Sequence, residues 1–234
     1  MAYHARKAYP MNVNKEILQF LRELRQHNDR AWFQAQKARY DHLREAFMEE
    51  VQQLIEHIAQ FEPALIGLQA PDCLYRIYRD LRWSADRTPY KTHFAAYMAP
   101  GGRRSEYGGY YIHLEPDNCL LAGGVWCPPV PILKKIRQDI AVNGEELGEI
   151  LASKPFHEAF GTFYGEKLTR VPAGFLSDAP YAEWLKYKDY SVMSHKDESF
   201  FTSSDWMQKT LADFHLLQPL NRFLNASVDE YYGK

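Results

Sequence analysis

The residues best suited to chemistry are concentrated in one stretch, Arg76 to Thr92. Against two acids, Asp80 and Asp86, it carries five cations: Arg76, Arg79, Arg82, Arg87 and Lys91. Its net charge is therefore +3, whereas the whole chain carries -2, so the positive charge is concentrated here. Guanidinium forks with interleaved hydroxyl donors hold phosphate or carboxylate oxygens. The stretch predicts an anion site with the ligand-binding residues Arg76, Arg79, Asp80, Arg82, Ser84, Arg87, Lys91 and Thr92.

A second group of chemically capable residues follows on two predicted strands. Tyr111, His113 and Glu115 lie at alternate positions and so share one face of their strand, and Lys91, His93 and Tyr97 share one face of theirs in the same way. If the two strands are neighbours, His93 and His113 meet Glu115 on one face of the sheet. A histidine beside a carboxylate can act as a general acid or base. We therefore predict His113, Tyr111 and Tyr90 as catalytic residues.

The same two histidines and glutamate also form a set that could bind a metal. The acid–base interpretation is favoured, and we assign no metal ligand and no cofactor from the sequence. The familiar dinucleotide, P-loop, zinc-protease and hydrolase motifs do not occur in the chain.

The cationic stretch resembles the signature RxxRDxRFSxxKxPYKT of a bacterial family of unknown function, domain-of-unknown-function family 2461. The matching residues are Arg76, Arg79, Asp80, Arg82, Ser84, Pro89, Tyr90, Lys91 and Thr92. Trp83 stands where the family has Phe, and Arg87 where it has Lys, so aromatic and cationic character are retained. A looser amino-terminal pattern agrees, at Asn28, Arg30, Trp32, Phe33, Lys37 and Tyr40. The resemblance covers nearly the whole chain and implies no particular activity.

Three interpretations of the cationic stretch remain open. In the first, the stretch holds a small anionic ligand, and the protein is either a binding protein or an enzyme that acts on this ligand. The second is a nucleic acid, held by the same cations and stacked on Trp83 and tyrosines; the acidity of the rest of the chain disfavours it. The third is a structural network in which Asp80 and Asp86 pair with the arginines, leaving the protein to act through partners.

Hydrophobic periodicity places these residues in an α+β domain. A period of 3.6 predicts helices over 12–28, with Asn14 as N-cap, and over 30–60. Alternation with a period of two and short turns then predicts an antiparallel meander with strands over 73–83, 92–99, 107–115 and 119–126. Further helices are predicted over 131–142, 145–153 and 181–187 and from Ser204 onward, where Pro219 should kink or divide the helix, with an edge strand over 190–194.

Length and composition bound the class of protein. A chain of 234 residues with 46% hydrophobic and 25% charged residues is typical of a globular protein, and we predict one domain over 1–234 with 1–10 as a candidate disordered segment. No stretch is apolar enough to predict a membrane span or a secretory signal. Three cysteines with no CxxC spacing favour a reduced, cytoplasmic setting. The sequence identifies neither the substrate nor the oligomeric state.

Overall fold

The amino-terminal third is helical, as the periodicity predicts. The structure, a computed structural model, describes residues 12–82 and 84–234. Helix α1 spans Val13–Gln26, and its cap is Asn12, whose side chain accepts a hydrogen bond from the Asn14 backbone N–H at 3.0 Å. The predicted cap Asn14 is instead buried inside the helix, where its amide donates to the Phe201 carbonyl at 3.1 Å. The predicted helix over 30–60 is two helices, α2 (Arg30–Ala35) and α3 (Lys37–Ile58).

A four-stranded antiparallel sheet follows, with the strands in chain order. Three of the predicted strands are confirmed as β1 (Phe94–Met98), β2 (Gly109–Leu114) and β3 (Cys119–Val125). The fourth, β4 (Tyr190–Lys196), is the edge strand that the sequence predicts near the carboxyl end. These strands and the helices around them form one α+β domain.

The predicted strand over 73–83 is wrong. Cys73 ends a short helix, α4 (Ala70–Cys73), and within the described residues 74–82 only two isolated bridges form, Leu74 to Ala96 and Tyr78 to Tyr90. The extended chain touches the edge of β1 once and then pairs with its own returning arm, so no continuous ladder forms. The meander consequently has β4, and not this segment, as its fourth strand.

Most of the remaining chain is helical. Helix α5 (Val130–Ala152) joins two predicted helices across a kink at Asn143, and α6 spans Lys154–Phe160. Helix α7 (Ala182–Leu185) matches the predicted short helix, and α8 spans Glu198–Thr202. The last helix, α9 (Trp206–Tyr232), continues through Pro219 without division. Among the described residues, no helix combines the length and apolar character needed to cross a membrane.

The two faces of the sheet have different roles. One face packs on the helices: Phe94 contacts Phe47 of α3 with ring centres 5.6 Å apart, and Tyr110 contacts Phe214 of α9 at 5.4 Å. Because side chains alternate along a strand, Tyr111 and His113 point to the opposite face. The helices therefore hold the sheet from one side and leave the polar residues of β2 on the other.

Two features that the sequence predicts lie outside the residues that the structure describes. The candidate disordered segment 1–10 lies outside them, and so does Trp83, the aromatic residue of the nucleic-acid alternative.

Candidate functional site

The cationic stretch forms a loop closed at its base like a hairpin. Tyr78 and Tyr90 form an antiparallel bridge, and the Lys91 N–H donates to the Ile77 carbonyl at 2.7 Å. Asn28, which follows α1, fixes this base from outside. Its side-chain amide donates to the Tyr90 carbonyl at 2.9 Å, and its side-chain oxygen accepts from the Tyr90 N–H at 3.1 Å. The loop is therefore anchored to the helical layer as well as to the sheet edge.

The guanidinium of Arg79 is bound by acceptors within the loop. Its guanidinium donates to the Asp86 carboxylate and the Thr88 hydroxyl, and to the Ser84 hydroxyl at 3.3 Å. The Thr88 backbone N–H also donates to Asp86, at 2.9 Å. This N–H and the Arg79 guanidinium together lower the pKa of Asp86 to about 2. Arg79 and Asp86 thus form an ionised pair that shapes the loop.

Arg82 and Arg87 also have partners within the loop. Arg82 donates to Asp80 with its Nη2 at 2.6 Å and its Nε at 3.0 Å. Hydrogen bonds from the Arg82 side chain and backbone lower the pKa of Asp80 to about 2. Arg87 donates to the Leu81 carbonyl at 3.2 Å. The Arg82 side chain is 78% exposed, so this pair lies on the outer surface of the loop.

Two cations of the stretch remain without a hydrogen bond or an ion pair in the described part of the chain, Arg76 and Lys91. The Lys91 ammonium lies 5.4 Å from the centre of the Tyr75 ring. Burial lowers the pKa of Lys91, and the positive charge of Arg76 lowers it further. Two like charges that repel each other in this way attract an anionic ligand.

A groove of about 400 Å³ lies beside Lys91. Its lining includes three cations, Arg25, Arg79 and Lys91, but only one carboxylate among the described residues, that of Asp86. Arg25 comes from α1, where it contacts Asp117 at 3.2 Å and the Pro116 carbonyl at 2.6 Å. Arg25 also lies 4.0 Å from Glu115, and Arg79 is bound to Asp86, so Lys91 is the lining cation without an acidic partner among the described residues.

The predicted acid–base residues form a hydrogen-bonded chain next to this groove. The Tyr111 hydroxyl lies 2.8 Å from Nδ1 of His113, and Nε2 of His113 lies 3.2 Å from Oε2 of Glu115. Glu115 also accepts from Thr92 at 2.7 Å and from Asn118 at 2.9 Å. Burial alone would raise the pKa of Glu115, but the hydrogen bonds from His113, Thr92 and Asn118 outweigh it and lower the pKa to about 2. Glu115 is consequently a carboxylate at neutral pH.

His93 separates this chain from the groove. It lines the groove, and its ring lies over that of His113 with centres 4.4 Å apart and planes inclined by 30°. Burial, the neighbouring His113 and Lys91 lower the pKa of His93 to about 4, against a smaller opposing effect of Glu115. His113 itself is only 8% exposed, so a ligand in the groove meets His93 first.

Tyr90, also predicted as catalytic, is mainly a packing residue. Its ring stacks on Phe33 with centres 4.0 Å apart, and 6% of the residue is exposed. Burial raises the pKa of its hydroxyl. Of the predicted ligand-binding residues, Arg79, Lys91 and Thr92 line the groove, whereas Arg76, Asp80, Arg82, Ser84 and Arg87 are not part of its lining.

Comparison with known families agrees with the resemblance in the sequence. The family described as "Conserved hypothetical protein (DUF2461)" matches residues 16–223. The chain belongs to this family. The DUF2461 match includes the cationic loop, the four strands and most of α9. Searches of curated proteins and of solved structures return no match.

The groove residues outside the predicted site include Arg25, Asn28 and His93. Arg25 carries no motif, and Asn28 stands out only within the looser amino-terminal pattern. His93 belongs to the predicted histidine cluster but not to the predicted catalytic residues. The structure shows its importance instead: His93 directly precedes β1, and its ring lies 4.4 Å from that of His113.

Proposed function

We propose that this protein binds a small anionic ligand, carrying a phosphate or carboxylate group, in the groove beside the cationic loop. The ligand's charged group contacts Lys91, and the rest of the ligand lies against Arg25, Thr92 and His93. Because His93 lies between the groove and the Tyr111–His113–Glu115 chain, the proposal concerns binding, and proton transfer is not part of it.

The observation that carries the proposal is the environment of Lys91. Its ammonium is partly buried in the groove and forms neither a hydrogen bond nor an ion pair with the described residues. Burying a charge without such a partner costs free energy, which the Tyr75 ring at 5.4 Å offsets only in part. A bound anion would remove that cost, since a charge-assisted hydrogen bond contributes about 1.5–3 kcal/mol.

A small ligand fits this site better than a nucleic acid. The groove has a limited volume of about 400 Å³, and two arginines of the loop, Arg79 and Arg82, are neutralised by Asp86 and Asp80. A nucleic-acid backbone needs an extended track of unpaired cations. The chain outside the stretch is acidic, which opposes such a track.

The test is isothermal titration calorimetry of the wild type and Lys91→Met with inorganic phosphate, citrate and a short single-stranded oligonucleotide, each at low and high salt. Methionine nearly keeps the length of the side chain and removes its charge. We expect phosphate or citrate to bind the wild type and the variant to bind about 10- to 100-fold more weakly, the equivalent of one charge-assisted hydrogen bond. Lys134→Met is the matched control, since Lys134 is exposed on α5 and does not line the groove.

Two results would contradict the proposal. One is equal anion affinity in wild type and Lys91→Met, with both proteins folded. The other is binding of the oligonucleotide alone with a steep salt dependence, which would favour a nucleic acid as the ligand.

We also propose a cytoplasmic location. The support is cysteine chemistry: Cys73 and Cys119 are buried free thiols and Cys127 is an exposed one. An exposed thiol without a partner persists in a reducing compartment.

A further inference from the structure

We propose that His93, His113 and Glu115 bind a divalent transition-metal ion of the zinc class at the inner wall of the groove. Each residue offers one ligand atom, and these atoms all lie within 4.8 Å of one another. The inference does not rest on the proposed anion binding, because none of the groove's cations is a metal ligand, although His93 also lines the groove and Arg25 lies 4.0 Å from Glu115.

The geometry of the three ligands is close to that of a metal site. A zinc ion with bonds of about 2.0–2.2 Å holds tetrahedral ligand atoms about 3.3–3.6 Å apart. Nε2 of His113 and Oε2 of Glu115 are already 3.2 Å apart. The His93 ring lies over His113 with centres 4.4 Å apart, so a modest side-chain movement brings its nitrogen into the same sphere.

His93 is the residue that a structural role explains least. It forms no hydrogen bond or ion pair with the described residues, although its ring contacts that of His113 and it lines the groove together with Lys91. His113 and Glu115, by contrast, satisfy each other. A metal ion gives the His93 nitrogen a partner and joins the three side chains.

The neighbours of the cluster supply the contacts that metal ligands require. A metal-bound histidine donates its other N–H to an oxygen acceptor, which fixes the ring. Nδ1 of His113 lies 2.8 Å from the Tyr111 hydroxyl. The second oxygen of Glu115, Oε1, is held by the Thr92 hydroxyl at 2.7 Å. When the metal binds Nε2, the imidazole proton resides on Nδ1 and is donated to the Tyr111 oxygen.

The ligand set selects the class of metal. Two imidazoles and one carboxylate suit zinc, cobalt or iron(II), whereas magnesium and calcium prefer oxygen ligands alone. Three protein ligands leave at least one coordination position open. Since His93 lines the groove, that position is within reach of a molecule bound there.

The test uses the full chain, freed of metal with a chelator and titrated with zinc alone, followed by cobalt for its visible spectrum. We expect one zinc ion per chain and a cobalt spectrum of low-symmetry coordination. His93→Ala should weaken zinc binding about 100-fold or more, because loss of a ligand exceeds the 10- to 100-fold effect of an outer contact. Tyr111→Phe keeps all three ligands and should weaken binding by about 10-fold.

Two control variants test whether zinc binds at this cluster and not elsewhere on the surface. His157→Ala removes an exposed histidine of α6 and should leave zinc affinity unchanged. Lys91→Met should also retain zinc, so that a failure of anion binding and a failure of metal binding are distinguishable. The proposal is overturned if the wild type binds no zinc, or if folded His93→Ala binds it as tightly as the wild type.

Discussion

Glu50 of α3 provides the sharpest test of the energetics of this structure. Its Oε2 atom is shielded from solvent and has no hydrogen-bond partner in the described part of the chain. Burial raises the pKa of this carboxyl from about 4.5 to about 8. The folded protein therefore holds Glu50 protonated at neutral pH, whereas the unfolded chain ionises it.

The sign and size of the effect follow from proton linkage. Between pH 4.5 and 8 the folded state binds one proton more than the unfolded state at this residue, so stability falls as the pH rises. Each pH unit corresponds to about 1.4 kcal/mol. The contribution of Glu50 to the free energy of unfolding thus decreases by about 4 kcal/mol from about pH 4.5 to about pH 7.5. That is a large part of the stability of an ordinary domain, about 5–15 kcal/mol.

Glu50→Gln removes the titration and nearly preserves the shape of the side chain. We expect the stability of the variant relative to wild type to rise by about 4 kcal/mol between about pH 4.5 and about pH 7.5. Urea unfolding followed by circular dichroism at several pH values measures this difference. Glu49→Gln is the matched control, because it removes one carboxylate from an exposed neighbouring position of the same helix.

The reasoning about Glu50 fails if the difference between variant and wild type stays constant across this pH range. It also fails if Glu49→Gln shows the same change, since the effect would then come from the net charge of α3 and not from burial of one carboxyl.

Three further predictions concern the sheet and the loop. Gly124→Ala should destabilise the protein far more than Gly174→Ala in thermal unfolding: both glycines have φ near +90°, but only at Gly124 does a Cβ meet a backbone atom, the Tyr190 carbonyl oxygen at 2.2 Å. Asn221→Ala should cost about 3 kcal/mol in urea unfolding, because it leaves two buried backbone groups of β2 and β3 unpaired. Arg82→Ala should leave both the melting temperature and phosphate affinity unchanged in scanning fluorimetry and calorimetry, since its ion pair is exposed and outside the groove.

The parts of the fold that can be predicted from the sequence are those with a local signal. Strands β1, β2 and β3 are recognisable because short strand-forming runs are bounded by turn residues such as Pro100-Gly101 and Pro116-Asp117. The segment from Cys73 to Trp83 shows alternation with a period of two, but any extended chain places alternate side chains on opposite sides. Whether it pairs along its whole length depends on distant partners, and here Tyr78 pairs with Tyr90 instead of with the sheet.

The sequence predicts which residues of one strand belong to the site better than it predicts which distant residues reach it. The sequence places Tyr111, His113 and Glu115 on one face, because period-two spacing within one strand is a local property. It cannot place Arg25, which reaches the groove only because α1 packs beside the β2–β3 turn, where Arg25 contacts Asp117. Contacts between residues far apart in the chain carry no signal in one sequence.

The charge count of the cationic loop overstates its capacity to bind a ligand. Asp86 neutralises Arg79 and Asp80 neutralises Arg82, so these two arginines offer no unpaired charge to a ligand. Lys91 differs from them because it follows the bridge that closes the loop, on the arm that leads into β1. Its partners must therefore come from the groove and not from the loop. The anionic ligand that we propose would supply the hydrogen-bonded, charged partner that Lys91 does not have among the described residues.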